Sequence, residues 1–394
     1  MAVRWALIGV AVLACAVVGF LPLGRDEVRA EFAPPVVEKP VKFSDEATAK
    51  AFREDGLRRA KVWRPTNPAK VDLGINPPDP TGTLTGETVR CRFLPRETKG
   101  TTPKFRCVLP DGEVVKVKYG DLTGEIHAEL AASRLLKALG FGADSMFLVR
   151  RLHCYGCPPI PFEAIWLLDH VGARETLTDR LPDDRYSEFE WVSVERRFPG
   201  GEIRTDDREG WSWDELDRVN PAAGGASRAE IDALRLVAVF LSHWDNKSEN
   251  QRLVCQSPLT DGSSRCDRPF ALMQDLGASF GPNKMSLEHW RETPIWADAS
   301  QCRVSMSALP YNGATFKDIT IGEPGRALLA RQLQALSDDQ VTALFNGARF
   351  PEFKRVLDQA TPVSDWVAAF NDKVRQIANA GPCPAPKPSP KSAH

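Results

Sequence analysis

The sequence has no excess of charge of either sign. Its 51 Lys and Arg residues are balanced by 52 Asp and Glu residues, and the basic residues are scattered rather than clustered. A nucleic-acid partner, which would require a basic patch, is therefore not expected. No internal repeat divides the 394 residues. Hydrophobic residues make up 42% and charged residues 26% of the chain, a globular balance with room for two lobes or domains.

Only one apolar run is long, and it lies at the N-terminus. Arg4 precedes WALIGVAVLACAVVGFLPL, and Val28 and Ala30 fit the small-residue pattern of a signal-peptidase site. As a helix, Trp5–Leu21 would span only ~25 Å, slightly less than a bilayer core. Residues 1–30 are predicted to be a cleaved signal peptide, with a membrane anchor as the alternative. Both predict an extracytoplasmic protein that is periplasmic, secreted or anchored facing outward.

Cysteine usage agrees with export. Of nine cysteines, one lies in the N-terminal run and eight remain, an even number that predicts disulfides. Cys91 and Cys107 bracket a hairpin-like stretch, and Cys255 and Cys266 bracket a short loop. Each closure is expected to contribute ~2–4 kcal/mol. The other pairings stay open, because HCYGC (153–157) could also be a redox or zinc half-site, although no second CxxC completes a zinc set.

The first half of the chain predicts a helix, then strands around a second helix. After a Pro-rich spacer, residues 44–63 form a helix with Ser44 as its N-cap. Residues 88–119 predict three strands, and in the last of these Lys116 and Lys118 share a face. GEIHAELAASRLLKALGF follows as a helix, and FEAIWLLDHV (162–171) is interpreted as a buried strand.

The second half is predicted to be mainly helical. A helix with a capping box of Ser227 and Glu230 leads into LSHWDNKSENQRL (241–253). A short buried strand then ends in the tripeptide DLG at 275–277. The stretch 183–225 is interpreted as an insertion and as the place of acceptor specificity. Further helices are predicted near 324–335, 338–347 and 362–379.

The order of these parts resembles the protein-kinase superfamily. HWDNKSEN matches HRDLKPEN at five positions, DLG resembles DFG, and VKVK resembles VAIK. HAELAASRLLKALGF and QDLGASFG resemble the secretory-pathway kinases that phosphorylate casein-like proteins or proteoglycan xylose. The resemblance implies an α+β, two-lobed protein-kinase-like fold. The lobes it implies are a β-rich N-lobe (88–171) and a mainly helical C-lobe (172–380). Composition and helix signals predict a Pro-rich linker and N-terminal helix before them (31–87) and a disordered tail after them (381–394).

The resemblance also implies roles in phosphoryl transfer for residues of the two C-terminal motifs. Asp245 would orient the acceptor hydroxyl and accept its proton. Lys247 would neutralise charge on the transferred group. Asn250 and Asp275 would hold Mg²⁺ or Mn²⁺ ions that bridge the nucleotide phosphates.

Other predicted nucleotide contacts come from the β-rich part. Face alternation in VKVK places Lys118 at the position that contacts the α- and β-phosphates, with Lys116 as the reserve, and Glu129 is the predicted helix partner of that lysine. No GxGxxG precedes Lys118, and the nearest substitute is ETKGTTPKF (97–105). The predicted phosphate-covering residues of this stretch are Gly100, Thr101, Thr102 and Lys104.

The function implied is a metal-dependent phosphotransferase that uses ATP or another nucleoside triphosphate and a hydroxyl acceptor on a protein, glycan or lipid. Trp244 replaces the arginine of HRD, and no APE motif follows DLG, so the resemblance is to an atypical kinase. The alternative is a non-catalytic nucleotide- or partner-binding module on the same fold. A third hypothesis is a thiol-disulfide or metal protein centred on Cys154 and Cys157.

Overall fold

The computed structural model forms two compact units, each built from separate stretches of the chain. Unit one comprises Met1–Val37, Pro77–Asp121 and Phe147–Arg196, and unit two comprises the remainder. The residues that the structure describes are 24, 31–36, 41–96, 98, 100–120, 123–170, 184–281, 285–304, 306, 316, 319–353 and 361–384. The predicted signal peptide therefore lies, except for Gly24, outside the described residues.

Five strands of unit one close into a barrel in the order β1-β2-β3-β5-β4. The pairing of β1 with β4 is parallel, whereas β2 and β3 pair in antiparallel fashion with their neighbours β1 and β5 and with each other. The strands are β1 (Thr88–Leu94), β2 (Lys104–Val108), β3 (Val114–Lys118), β4 (Ser145–Tyr155) and β5 (Tyr186–Arg196). The three strands predicted over 88–119 are confirmed.

The apolar core of the barrel is formed by residues that alternate with polar ones along the strands. In β3, Val115 and Val117 are buried in the same apolar cluster, with Tyr119 packed against it, while Lys116 and Lys118 alternate with them. A strand directs successive side chains to opposite faces, so three apolar residues at spacing two supply one wall of the core. The prediction that Lys116 and Lys118 share one face of this strand is thereby confirmed.

The segment interpreted as a buried strand at 162–171 is instead a helix, α3 (Pro161–His170). A short apolar run fits a strand and a buried helix equally well by pattern. Ile165 is buried, and Ala164 and Leu168 pack against the barrel core, which is the spacing of one helix face. The other face is exposed, with Trp166 59% accessible. The hydroxyl group of Tyr119 accepts a hydrogen bond from the amide of Phe162 at 3.2 Å and so satisfies a donor of the first turn.

Unit two is mainly helical, with a small three-stranded sheet in the order β6-β7-β8. Its helices are α1 (Glu46–Arg58), α2 (Gly124–Ala138), α4 (Arg228–Phe240), α5 (Leu287–Glu292), α6 (Glu323–Gln334), α7 (Asp338–Gly347) and α8 (Val363–Asn379). Its shorter strands are β6 (Gly201–Glu202), β7 (Gln251–Cys255), β8 (Pro269–Met273), β9 (Arg303–Val304) and β10 (Ile319–Thr320). The three C-terminal helices lie where their apolar periodicity predicts them.

The N-terminal caps of two helices test the sequence interpretation. Ser227 and Glu230 form the predicted capping box of α4. Helix α1 begins one residue later than predicted, because the carboxylate of Asp45, and not the hydroxyl of Ser44, accepts the hydrogen bond from the amide of Thr48. Asp and Ser are equivalent N-caps by preference, so sequence alone does not choose between neighbours.

The interpretation of 183–225 as an insertion is wrong for the described part of this stretch. Residues 186–196 form β5 of the barrel, and β6 pairs with β7. Trp211 is fully buried, and its indole nitrogen donates to the carbonyl oxygen of Arg252 at 3.1 Å. Most of this stretch is therefore integral to the two units.

Aromatic side chains support the junction that follows α4. Phe240, the last residue of α4, and Phe280 both pack edge-on against Trp290, with ring centroids 6.0 Å and 5.1 Å away. The indole nitrogen of Trp290 donates to the carbonyl oxygen of Phe240 at 2.8 Å. This packing fixes the end of α4 relative to the chain after β8.

Four disulfides use all eight of the cysteines considered: Cys91–Cys107, Cys154–Cys157, Cys255–Cys266 and Cys302–Cys383. The two predicted pairs are confirmed. The sulfur atoms of three of these cysteines lie within 4.8 Å of one another because two disulfides are neighbours on β1 and β4. Four disulfides are consistent with an oxidising, extracytoplasmic environment. Among the described helices, none has the length and apolar character needed to cross a bilayer.

Candidate functional site

The loop after α4 is bound to the segment after β8 by backbone hydrogen bonds. The amide of Phe280 donates to the carbonyl oxygen of Leu241 at 2.7 Å, and the amide of Trp244 donates to that of Ala278 at 3.3 Å. His243 is fully buried, with its Nδ1 3.4 Å from the same Ala278 oxygen. HWDNKSEN and the residues after DLG therefore belong to one substructure.

Asp245 and Asn250 are joined within this loop. The side-chain Nδ2 of Asn250 donates to the backbone carbonyl of Asp245 at 2.7 Å. The backbone amide of Asn250 donates to the carbonyl of Lys247 at 2.9 Å. The Asp245 side chain is 28% exposed, and its Oδ1 lies 3.7 Å from the Nζ of Lys247. Because Nδ2 of Asn250 is engaged by the backbone, its amide oxygen is the atom suited to bind a cation.

The β7–β8 hairpin brings Asp275 beside Asn250. The strands pair with Gln251 opposite Met273, and the amide of Gln274 donates to the carbonyl of Asn250 at 3.1 Å. Asp275 follows with a left-handed φ of 53°. Asp is one of the few residues besides glycine that tolerate this conformation. The chain therefore turns sharply at the acidic residue of DLG.

Burial and two neighbouring charges set the electrostatics of Asp245. Burial raises the pKa of Asp245, and the negative charge of Asp275 raises it further, while the positive charge of Lys247 opposes both effects. Burial also lowers the pKa of His243 to about 4, so this imidazole is neutral near pH 7. A fully buried, neutral His243 fits a structural role in the packing of this loop. A cation near the two acids would offset their repulsion.

The donor atoms suit a hard cation. Asn250 offers an amide oxygen and Asp275 a carboxylate, which are ligand types that Mg²⁺ and Mn²⁺ prefer. Asp245 adds a carboxylate whose Oδ1 atom is buried and lies 3.7 Å from the Nζ of Lys247. The residues present therefore fit a metal-binding role.

A buried tryptophan supports the centre of the loop, and sequence reasoning did not identify it. The indole nitrogen of Trp213, 5% exposed, donates to Oδ1 of Asn246 at 2.9 Å. Asn246, 1% exposed, in turn donates through Nδ2 to the carbonyl of His243 at 2.6 Å. Two tryptophans within the polar segment EGWSWDEL are the sequence signal that could have indicated a buried role.

Helix α2 carries two glutamates with different surroundings. Glu129 is 2% exposed. Glu125 packs against the backbone of DLG, since a Cβ atom placed on Gly277 would lie 2.0 Å from the Cγ of Glu125. Only glycine allows so close a contact at that position.

Unit one contains the predicted nucleotide contacts on β2 and β3. Lys118 is 1% exposed and lies opposite Lys104, which is 6% exposed. Lys116 lies opposite Glu195 of β5 and forms an ion pair with it. The two lysines of VKVK therefore differ in environment.

The predicted phosphate-covering residues precede β2. Gly100 has a left-handed φ of 94°, and a Cβ there would lie 2.9 Å from the Nζ of Lys104. Thr102 is 2% exposed, whereas Thr101 is exposed. The structure brings Gly100 and Lys104 together, and their contact with a nucleotide stays a prediction.

No protein-family model and no curated protein matches the chain. Among solved structures, the chain is similar to the crystal structure of the Helicobacter pylori proinflammatory kinase CtkA. The two chains are 9% identical, the match covers 74% of this chain and 95% of that chain, and the TM-score is 0.38. Similarity at this level does not establish a shared activity.

Proposed function

We propose that the chain is a metal-dependent phosphotransferase that moves a phosphoryl group from ATP or another nucleoside triphosphate to a hydroxyl group of a protein, glycan or lipid. The observation that carries the proposal is the meeting of Asp245, Asn250 and Asp275 at one end of the β7–β8 hairpin. Phosphoryl transfer depends on a positioned nucleophile and on neutralised phosphate charge. This set of side chains offers both.

The order of elements along the chain supports a protein-kinase-like fold for this activity. Strand β3 carries Lys118, α2 carries Glu129, α4 leads into HWDNKSEN, and β8 is followed closely by DLG. We propose on this basis an N-lobe over 88–171 together with β5 (Tyr186–Arg196), which closes the barrel, and a C-lobe over the rest of 172–380. The resemblance of α2 and DLG to the secretory-pathway kinases makes that group the proposed relatives.

Asp245 is the proposed acceptor of the hydroxyl proton. Its carboxylate remains accessible, and the raised pKa increases its basicity relative to an ordinary surface aspartate. Lys247, 42% exposed and 3.7 Å from Asp245, is placed to neutralise charge on the transferred group. The pair therefore combines a base with a cation.

Asn250 and Asp275 are the proposed ligands of Mg²⁺ or Mn²⁺. When bound, such an ion neutralises the charge of the nucleotide phosphates. Asn250 would contribute its amide oxygen, because its Nδ2 holds the Asp245 carbonyl. Asp275 would contribute its carboxylate.

The other predicted nucleotide contacts remain proposals that rest on the resemblance. Lys118 is the proposed contact to the α- and β-phosphates, with Glu129 as its partner, and the ion pair of Lys116 with Glu195 favours a structural role for Lys116. Gly100, Thr101, Thr102 and Lys104 are the proposed cover over the phosphates.

The proposed location is extracytoplasmic. The four disulfides and the N-terminal apolar run with its signal-peptidase pattern support it. Membrane anchoring through residues 1–30 is the alternative to a released protein.

Nucleotide binding can be tested without knowledge of the acceptor. Residues 31–394 would be purified under oxidising conditions and melted with ATP, GTP or ADP, with and without Mg²⁺ or Mn²⁺. Ligand at ~100 Kd should stabilise the protein by ~2.7 kcal/mol. Asp275→Ala should lose the metal-dependent rise in melting temperature, which we call the metal-dependent shift. Asp339→Ala, which removes an exposed acid of α7, should keep this shift.

The catalytic role of Asp245 needs a second variant. Asp245→Ala should keep the metal-dependent shift and lose phosphoryl transfer to acceptors that the wild type modifies. Intact transfer by this variant would contradict the role assigned to Asp245. A nucleotide shift in the wild type without transfer to any acceptor would favour the non-catalytic binding module, and the absence of any shift would contradict nucleotide binding.

A further inference from the structure

A polar cavity lies in unit two, between α1 and the segment 205–218. Its volume is about 210 Å³, and it is lined chiefly by charged side chains. Its floor is the buried pair of Arg53 and Glu215, which are 5% and 1% exposed. Arg208 and Arg218 form its wall and are half exposed. We call the cavity formed by these four residues the arginine pocket.

Three guanidinium groups converge on the buried carboxylate of Glu215 in this pocket. Arg53 binds both oxygens of Glu215, at 2.9 and 2.8 Å. Arg218 donates to Oε1 at 2.6 Å, and the Nη1 of Arg208 lies 3.2 Å from the same atom. The amide of Ser212 donates to Oε2 at 3.0 Å. Three arginines therefore share one buried carboxylate, and the whole lining has four basic and three acidic side chains.

Glu215 cannot satisfy all of these donors. A carboxylate oxygen has two lone pairs, yet Oε1 is approached by three arginines. Burial alone would raise the pKa of Glu215, but hydrogen bonds from Arg53 and Ser212 and the charges of Arg53 and Arg208 lower it to about 2. The carboxylate is thus ionised near pH 7, and its single charge does not balance the charges of the three arginines around it.

The rim of the pocket carries weaker, exposed ion pairs. Lys50 lies 3.7 Å from Asp207, and Arg218 lies 3.9 Å from Glu54. All four of these side chains are half exposed or more, so solvent screens their attraction. A ligand with two negative charges would compete well with such single carboxylates for the arginine wall.

We propose that the arginine pocket binds a phosphate group, either as free phosphate or as part of a phosphomonoester. Arg208 and Arg218 would hold the phosphate oxygens, because the planar guanidinium fork matches phosphate geometry and each group has five donors. Arg53 stays on Glu215 and keeps the floor intact. Lys50 adds a further positive charge at the rim.

The pocket adjoins the candidate catalytic loop through Gly210. Arg53 donates to the carbonyl oxygen of Gly210 at 2.7 Å. On its other side, Gly210 lies so close to the loop that a Cβ atom would be 2.0 Å from the oxygen of Ser248 and 2.2 Å from that of Gln251. Binding of phosphate does not require the proposed transfer activity. A phosphate-bearing acceptor or effector would be bound beside the loop that contains Asp245, the proposed base.

Calorimetric titration of residues 31–394 with inorganic phosphate tests the proposal. EDTA and constant ionic strength would exclude metal-mediated and general salt effects. We expect saturable binding, weakened at least tenfold in Arg208→Gln/Arg218→Gln and partly retained in Arg208→Lys/Arg218→Lys. The control Arg331→Gln/Arg375→Gln removes two exposed arginines of α6 and α8 and should bind as the wild type does.

The variants also separate this pocket from the candidate catalytic site. Asp275→Ala should bind phosphate normally, because Asp275 does not line the pocket. Equal affinity in the wild type and in Arg208→Gln/Arg218→Gln, or no saturable binding at all, would overturn the proposal. Loss of binding in Asp275→Ala alone would also overturn it, since phosphate would then occupy the catalytic site.

A second titration identifies the source of the phosphate group. A phosphoserine peptide and its unphosphorylated form would be compared with inorganic phosphate. Tighter binding of the phosphopeptide, lost in Arg208→Gln/Arg218→Gln, would support the pocket and assign it to a protein ligand. Equal or weaker binding of the phosphopeptide would support it as a site for a small phosphate-bearing molecule, provided that the same variant weakens binding of inorganic phosphate.

Discussion

The side-chain amide of Asn250 donates a hydrogen bond to the backbone carbonyl of Asp245 at 2.7 Å. This bond fixes which end of the amide is the donor and leaves its oxygen for a cation. The carbonyl of Asn250 meanwhile accepts from Gln274, one residue before Asp275. Asn250 thus connects the proposed base, Asp245, to the other proposed metal ligand, Asp275.

Two substitutions of Asn250 should separate its structural and metal-binding roles. Asn250→Asp keeps a ligand oxygen but cannot donate to the Asp245 carbonyl, so we expect a stability loss of about 1–2 kcal/mol with a metal-dependent nucleotide shift retained. Asn250→Leu loses both the donor and the ligand oxygen, so the metal-dependent shift should vanish. Urea unfolding and nucleotide melting curves measure the two effects.

The control for these variants is Asn371→Leu. Asn371 also donates through Nδ2, to Asp338 at 2.8 Å, but on the exposed side of α8. It should lose little stability and keep the full nucleotide shift. A metal-dependent shift that survives Asn250→Leu unchanged would rule out Asn250 as a ligand.

Trp213→Phe should loosen the candidate loop. The change keeps the aromatic ring but removes the donor to Oδ1 of Asn246, which leaves a buried amide oxygen unsatisfied at a cost of about 1–3 kcal/mol. Hydrogen exchange of the peptide 241–250 should become faster, because Asn246 supports the carbonyl of His243. Mass spectrometry of exchanged peptides would measure this.

Trp296→Phe is the matched control for that change. Trp296 is 8% exposed and donates to the carbonyl of Gln376 at 3.0 Å, between the α5–β9 segment and α8. Both variants lose one buried indole hydrogen bond, but only Trp213→Phe should alter exchange at 241–250. Equal exchange of the loop in both variants would mean that Trp213 does not support it.

Local patterns predicted much of the fold because they reflect local physical causes. The capping box of α4 involves residues three apart, and the alternation around Lys118 reflects the geometry of a single strand. The helix α3 was misinterpreted because ten apolar-rich residues do not distinguish a strand from a buried helix. The alternation in EFEWVSVER (188–196) was a strand signal that the interpretation of 183–225 as an insertion overlooked.

The candidate site was predictable only in its sequence-local part. HWDNKSEN fixes Asp245 and Asn250 within six residues, and the paired strands β7 and β8 bring Asp275 to them. The contact of Trp213 with Asn246 joins residues 33 positions apart. No pattern in either segment specifies that hydrogen bond, since it depends on how the chain packs as a whole.

Acid should weaken the contribution of Glu215 to stability. Its folded-state pKa of about 2 lies below its usual value of 4.5. The stabilisation is therefore complete above pH 4.5 and is lost as the pH falls towards 2. Glu215→Gln should cost about 3 kcal/mol near pH 7, because it leaves buried Arg53 without its charge partner.

The pH dependence of the difference between the two proteins is the measurement. Guanidinium unfolding would give the free energies of unfolding of the wild type and of Glu215→Gln at pH 7, 5 and 3. The gap between these two free energies should shrink at the lowest pH. Taking the difference cancels the other carboxylates that titrate over the same range. A gap that stays constant from pH 7 to 3 would contradict the depressed pKa of Glu215.

The disulfides should differ in how much each contributes to the free energy of unfolding, according to the length of the loop that each closes. Cys302 and Cys383 are 81 positions apart, whereas Cys255 and Cys266 are 11 apart. Loop-closure entropy predicts losses of about 4.5 and about 3 kcal/mol when each pair is replaced by serine. Cys302→Ser/Cys383→Ser should also release the end of α8, since Cys383 follows that helix closely. Urea unfolding under oxidising conditions would give both values. A larger loss for the Cys255–Cys266 pair would show that packing of the β7–β8 hairpin, and not chain entropy, determines what these bonds contribute.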